Sequence, residues 1–237
     1  VMWLGLAFIS AFLLGCYEVN KKISLDGNAV IPVLFFNTLI SSLIFVPFIF
    51  LSFFTDVLDG TMLYVPRVSL ETHVAVFIKA VIVLSSWIFG YFALKHLPLT
   101  ITGPIKATQP VGAMLVFGER LNLYQWIGVI LSIASFYLLS SSGKKEGIRF
   151  THNKWIIFTV LSILTGAASG LYDKHLMGSL DVMTVQVWFN VYQCLMMLPI
   201  LLFLWYPRRK STTPFVWHWN IIFISVFLCV ADWIYFY

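Results

Sequence analysis

The sequence predicts an all-α polytopic membrane protein made of two inverted repeats of five transmembrane helices, ten in the full protein and about eight in this chain. Three observations predict it: an apolar composition, a succession of apolar stretches each long enough to cross a bilayer, and a self-similarity between the two halves.

Of the 237 residues, 60% are hydrophobic and 11% charged, and the mean hydropathy is +0.90. Soluble domains are roughly 45 to 50% apolar and about 25% charged, so a soluble fold of this length could not hide so much apolar surface. The net charge of +5 would suit a nucleic-acid binder. The basic residues, however, fall in short clusters between apolar runs, as loops at a membrane surface do, and no nucleic-acid partner is expected. Cys16, Cys194 and Cys229 lie inside apolar segments, odd in number and without metal-ligand spacing, and read as reduced packing residues.

A helix rises about 1.5 Å per residue, so a hydrocarbon core of about 30 Å takes roughly 20 apolar residues. Eight stretches qualify: Met2 to Asn20, Ala29 to Phe54, Val74 to Leu94, Leu99 to Phe117, Tyr124 to Ser141, Trp155 to Leu176, Val182 to Tyr206 and Trp219 to Tyr237. The first lacks a basic leader and is closely followed by the second, so it reads as structure and not as a signal peptide. The separators carry turn residues: Leu25-Asp26-Gly27-Asn28, His96-Leu97-Pro98, Gly118-Glu119-Arg120, Ser142-Gly143-Lys144-Lys145 and Pro207-Arg208-Arg209-Lys210. Trp87, Trp155, Trp205, Trp217 and Trp219 include several at span ends, where amphipathic rings favour the headgroup level.

Sliding the sequence along itself by 155 residues places Ala11, Gly15, Tyr17, Glu18 and Ser24-Leu25-Asp26 on Gly166, Gly170, Tyr172, Asp173 and Ser179-Leu180-Asp181. Slightly shorter offsets align Phe36-Asn37 with Phe189-Asn190, Pro47 with Pro199 and Trp87-Ile88 with Trp233-Ile234. The matches are collinear, and the repeat begins at span one and recurs at span six. A five-span repeat is odd, so its second copy enters the bilayer upside down, the architecture of many secondary transporters. The expected organisation is a first copy over 1–141, a connecting loop over 142–153 and a second copy over 154–237 that lacks about two spans.

The stretches Leu99-Thr100-Ile101-Thr102-Gly103-Pro104, Thr108-Gln109-Pro110-Val111, Gly118-Glu119-Arg120-Leu121 and Gln125-Trp126-Ile127-Gly128 resemble the EamA family of the drug/metabolite transporter superfamily. That family's fourth helix has a central proline and runs into a Gly-Glu-Arg turn, and its fifth carries Gln and Gly at this spacing. Tyr17-Glu18 departs from the family's first helix, where a small polar pair is commoner. The resemblance implies ten helices, no enzymatic activity, no cofactor, and export or uptake of small metabolites across the cytoplasmic membrane of a bacterium. A proton is the candidate coupling ion and a homodimer a candidate assembly. The Gly118-Glu119-Arg120 turn itself needs no substrate, since Gly118 ends a helix whose dipole Arg120 complements while Glu119 precedes the next helix.

Ionisable groups inside spans are costly, about 2.5 to 3.5 kcal/mol each on insertion scales, and each is a functional candidate. Glu18 and Asp173 lie on helical faces with Ala11 and Gly15 and with Gly166 and Gly170, small-residue stripes that let a neighbouring helix approach closely. Either could exchange a proton or hold a cationic group; the plainer alternative pairs Glu18 with Lys21 or Lys22 one turn on. Lys106 shares a face with Gly103, Ala107, Pro110 and Ala113, and is expected to pair with Glu18 or Asp173 in one state and to bind an anionic substrate group in another. Asn37, Asn190, Gln109, Gln193 and Trp87 are secondary candidates for substrate lining, with helix-to-helix hydrogen bonding as the commoner use of such amides. Asp232 stands where the first copy has Ser86.

Basic residues concentrate in the loops after spans one, three, five and seven, including Lys21, Lys22, Lys144, Lys145, Arg208 and Arg209. The positive-inside rule puts those loops in the cytoplasm and the N-terminus outside, whereas the family resemblance implies the reverse. A membrane-embedded enzyme would need clustered catalytic groups. His73, His96, His152, His175 and His218 fall in or beside loops with no ligand spacing, and no metal site is expected. A channel or a purely structural membrane component is the remaining alternative.

Overall fold

The computed structural model describes residues 2–107, 109, 122–143 and 153–236. Among them every regular element is helical: α1 (Met2–Leu25), α2 (Val30–Phe54), α3 (Leu70–His96), α4 (Leu99–Ala107), α5 (Leu123–Gly143), α6 (Lys154–Met177), α7 (Val182–Ile200) and α8 (Asn220–Phe236). A π turn over Leu201–Trp205 and a 3₁₀ turn over Tyr206–Arg208 prolong α7. Among the described residues, four helical stretches are long and apolar enough to cross a membrane: Val30–Phe54, Leu70–His96, Lys154–Met177 and Val182–Arg208. The expected Leu99-to-Phe117 span is described to Ala107 and at Gln109. The Gly118-Glu119-Arg120 turn, Pro110, Ala113, His152 and most of the 142–153 connection lie outside the described residues.

The helices outrun the apolar stretches that announce them. α1 continues past Asn20 through Lys21 and Lys22 to Leu25, because hydropathy marks hydrocarbon contact whereas backbone hydrogen bonding continues into the polar zone. Gly27, at φ +60, then makes the turn that a side chain would strain. α3 starts at Leu70, four residues before the apolar run, where the Ser69 hydroxyl accepts from the Thr72 N–H at 3.4 Å. In α7, Pro199 withholds a backbone donor and the ladder widens into the π turn directly after it.

The chain divides into two compact units, Val1–Val81 with His175–Tyr237, and Ile82–Lys174. In the first, α1 and α8 lie antiparallel. Ser10 donates to the Ala231 carbonyl at 3.0 Å, Asn220 donates to the Asn20 amide oxygen at 2.8 Å, and Asn28 clamps both backbone groups of Val216. Numbers rise on α1 as they fall on its partner. α2 packs against α7 and α8, closing a core of Phe45, Val65, Met183, Val187 and Cys229. In the second unit, the 82–96 part of α3 runs antiparallel to α6, from His96 stacked on Trp155 to Ser86 bonded to Ser162. Phe8 and Phe12, each 70% exposed, with Phe54 and Phe203, present apolar side chains outward, the surface expected of a protein whose solvent is lipid.

The tripeptide shared by the two halves occupies different places. Ser24-Leu25 closes α1 with Asp26 in the turn, whereas Ser179-Leu180 lies in the turn and Asp181 caps α7, its carboxylate accepting from the Thr184 N–H at 3.0 Å. The letters align at an offset three residues longer than the one relating the ends of α1 and α6, at Leu25 and Met177.

Candidate functional site

Among the described residues, polar side chains gather in four places inside the helices. On α1, the Glu18 carboxylate lies 2.6 Å from the Lys21 ammonium. Lys21 is 3% exposed and also sits over the Tyr17 ring, 4.2 Å from its centroid. Two opposite charges one turn apart, with an aromatic face below the cation, form a local neutral unit.

On the face shared by α2 and α8, Asn37 is fully buried. The Ser225 hydroxyl is within reach of its amide oxygen (3.0 Å), its backbone carbonyl (3.1 Å) and the Ile221 carbonyl (3.2 Å). Asp232 is half-buried farther along α8. The counterpart face of α7 differs. Asn190 is buried but ties its amide nitrogen to the Gln186 carbonyl of its own helix at 2.8 Å. Gln193, one turn on, is fully buried with neither amide atom hydrogen-bonded. Against this face stands Lys79 of α3, 3% exposed, its ammonium 4.8 Å from the centroid of the Phe189 ring. Beside it, His73 accepts from or donates to the Tyr192 hydroxyl at 2.8 Å and meets the Trp188 ring edge-on.

The fourth place is the crossing of α3 and α6. Ser86 donates to the Ser162 carbonyl at 2.8 Å, and Ser162 returns a bond to the Ser86 carbonyl at 2.9 Å. Glycines make the crossing close: a Cβ on Gly90 would meet the Ser162 hydroxyl at 2.9 Å, and one on Gly166 would meet the Ser86 hydroxyl at 3.3 Å and the Gln109 amide at 3.4 Å. Gln109 is thus placed at this seam. Trp87 and Asp173 are half-buried in the same unit, one Asp173 carboxylate oxygen shielded from solvent, and Lys106 is half-buried in the last described turn of α4.

Several sequence expectations change here. The small-residue stripes serve close packing at Gly166 but not at Gly15, Gly170 or Gly103; these are exposed, with nothing among the described residues within 4 Å of a Cβ placed there. The expected face of Gly103, Ala107, Pro110 and Ala113 beside Lys106 lies largely outside the described residues. His73 and His96 belong to α3 and His175 to α6, because the helices extend beyond the apolar runs. Lys79 is the functional-looking residue the sequence reading missed. Its signal was present, a lone lysine inside the Val74-to-Leu94 run.

Comparison with known families matches residues 1–141, which hold α1 to α5, to the EamA-like transporter family. No curated protein matches the chain. A match over residues 1–141 of 237 covers more than half of the sequence, and with its several membrane-length apolar helices the chain belongs to the EamA-like transporter family.

Proposed function

We propose that the protein is a secondary transporter of small polar metabolites, working by alternating access between two antiparallel copies of one helical repeat, in the cytoplasmic membrane of a bacterial cell. The observation that carries this reading is an exchange of helix partners. The first helix of the first copy, α1, packs antiparallel to α8, the third helix of the second copy. The first helix of the second copy, α6, packs antiparallel to α3, the third of the first. Within one copy the first and third spans run the same way. Antiparallel pairing across copies is thus what inversion requires, and it supports a bistable pair of copies that can rock against each other.

Glu18, paired with Lys21, and Asp173, half-buried on α6, are both proposed to exchange a coupling proton. Lys106 is proposed to line the substrate path. Purified full-length protein in proteoliposomes loaded with a pool of labelled metabolites should show saturable uptake and counterflow. Flux that rises linearly with concentration and shows no counterflow would identify a channel instead. Lys106→Ala should abolish uptake while leaving membrane insertion intact, and unchanged kinetics would remove Lys106 from the path.

A further inference from the structure

We propose that the connection between α7 and α8, residues 206–219, is a docking surface for the headgroups of anionic phospholipids. Arg208, Arg209 and Lys210 bind the phosphates, and Tyr206, Trp217 and Trp219 seat beside them at the headgroup level. The surface stands apart from the transport path and does not rest on the carrier reading.

The order of side chains along the chain matches the layers met on leaving a bilayer. Leu202, Phe203 and Leu204, near the end of a membrane-length helix, expose apolar side chains; Tyr206 follows, and then Arg208, Arg209 and Lys210, all exposed. Hydrocarbon, amphipathic ring and cation succeed one another at the depths each prefers. The connection contains no Asp or Glu. Among the described residues none of the three cations has a carboxylate partner; the Arg209 guanidinium lies over the Tyr206 ring, 4.1 Å from its centroid. Asp26, in the turn after α1, lies beside Lys22, which offsets its charge. The triad is also held in place. The Arg208 carbonyl accepts from the backbone N–H and the hydroxyl of both Ser211 and Thr212, which folds the cations into one tight turn. Farther on, the buried Asn28 bonds both backbone groups of Val216, while Phe36 stacks on Phe215 and meets Trp217 edge-on. These contacts fix the strap that presents the exposed Trp217 and Trp219. The other end of the same compact unit carries the opposite charge. α2 starts at the Asn28 turn and ends beside Asp56 and Asp59, and Asp181 caps the start of α7; with Glu71, all exposed, they outnumber Arg67 there. One end of the unit therefore attracts an anionic leaflet and the other repels it. Each basic side chain near such a surface raises affinity about fivefold, and guanidinium donors match phosphate oxygens in pairs.

The test offers purified full-length protein an equimolar mixture of phosphatidylglycerol and phosphatidylcholine in detergent micelles. Bound lipid is read by native mass spectrometry, and the melting temperature is read with each lipid alone. The wild type should bind phosphatidylglycerol at least about tenfold over phosphatidylcholine and gain several degrees more from it. Arg208→Gln, Arg209→Gln and Lys210→Gln combined should bring the two lipids to within about twofold of each other. The melting temperature of that variant without lipid should stay at the wild-type value, since all three side chains are exposed and none pairs with an acid among the described residues. Arg67→Gln, at the acidic end, should leave the preference intact. No preference in the wild type, an undiminished one in the triple variant, or its loss in Arg67→Gln would overturn the surface. A shift of the same size from inorganic phosphate or from a short DNA duplex would overturn it too, by assigning the triad to a free anion or to nucleic acid.

Discussion

At Ser225 one hydroxyl proton faces three acceptors within 3.0 to 3.2 Å, two of them on Asn37. Ser225→Ala removes a donor from the buried Asn37 amide oxygen and backbone carbonyl. Such a loss costs about 1 to 3 kcal/mol in protein interiors and nearer 0.6 on average between membrane helices. We expect a loss of about 1 kcal/mol, read as a fall of a few degrees in the melting temperature of the detergent-purified protein; an unchanged melting temperature would show the bond to be energetically idle. Residue identity alone announced part of this. The repeat paired Asn37 with Asn190 as candidates inside the bundle, and helical spacing offered Lys21 or Lys22 as a partner for Glu18, of which the structure shows Lys21. What sits beside them was not legible, because Ser225 reaches Asn37, and Lys79 the Phe189 ring, from distant helices whose rotation about their axes the sequence does not state.

At the scale of helices, the α3–α6 crossing sets two glycine effects against each other. Alanine is favoured over glycine in a helix interior by about 0.8 to 1 kcal/mol. A Cβ at Gly90, however, would stand 2.9 Å from the Ser162 hydroxyl, and forced overpacking costs about 1 to 3 kcal/mol. The hydroxyl cannot yield without breaking its bond to the Ser86 carbonyl. Gly90→Ala should therefore destabilise, and adding Ser162→Ala should recover most of the loss by removing the obstructing oxygen. Thermal melts of the two variants check this, and a double variant no better than the single would place the strain elsewhere. By contrast, Gly15→Ala meets open space among the described residues and should stabilise by up to about 1 kcal/mol. The sequence showed both glycines as small residues on helical faces and could not tell which faced a neighbour.

For the whole molecule, the proposed inversion of a second copy makes a topological prediction. On that reading the turn after α1 and the turn after α6 correspond in the two copies and are separated by five spans, so they should open on opposite sides of the membrane. Asp26 and Gly178 are exposed in those turns. In a background with Cys16, Cys194 and Cys229 replaced, Asp26→Cys and Gly178→Cys should be labelled by a membrane-impermeant thiol reagent from opposite faces. Labelling from the same face would end the inverted-repeat reading. The same pair would decide between the orientation favoured by the basic loops and the one the family implies, since each assigns Asp26 to a different side.

What the sequence determined by itself was the solvent and the helical class. Apolar runs of span length dictate helices in lipid, because backbone polar groups have no other partner there. Those are properties of composition and periodicity, which any window of the chain carries. Only the tertiary structure decided how the polar groups are paired and buried: that Glu18 is neutralised within its own helix, that Asn37 has a donor, and that Gln193 is buried with neither amide atom hydrogen-bonded among the described residues. Burial and hydrogen-bonding depend on which residue of another helix stands opposite, a relation between positions more than a hundred residues apart that no local pattern encodes.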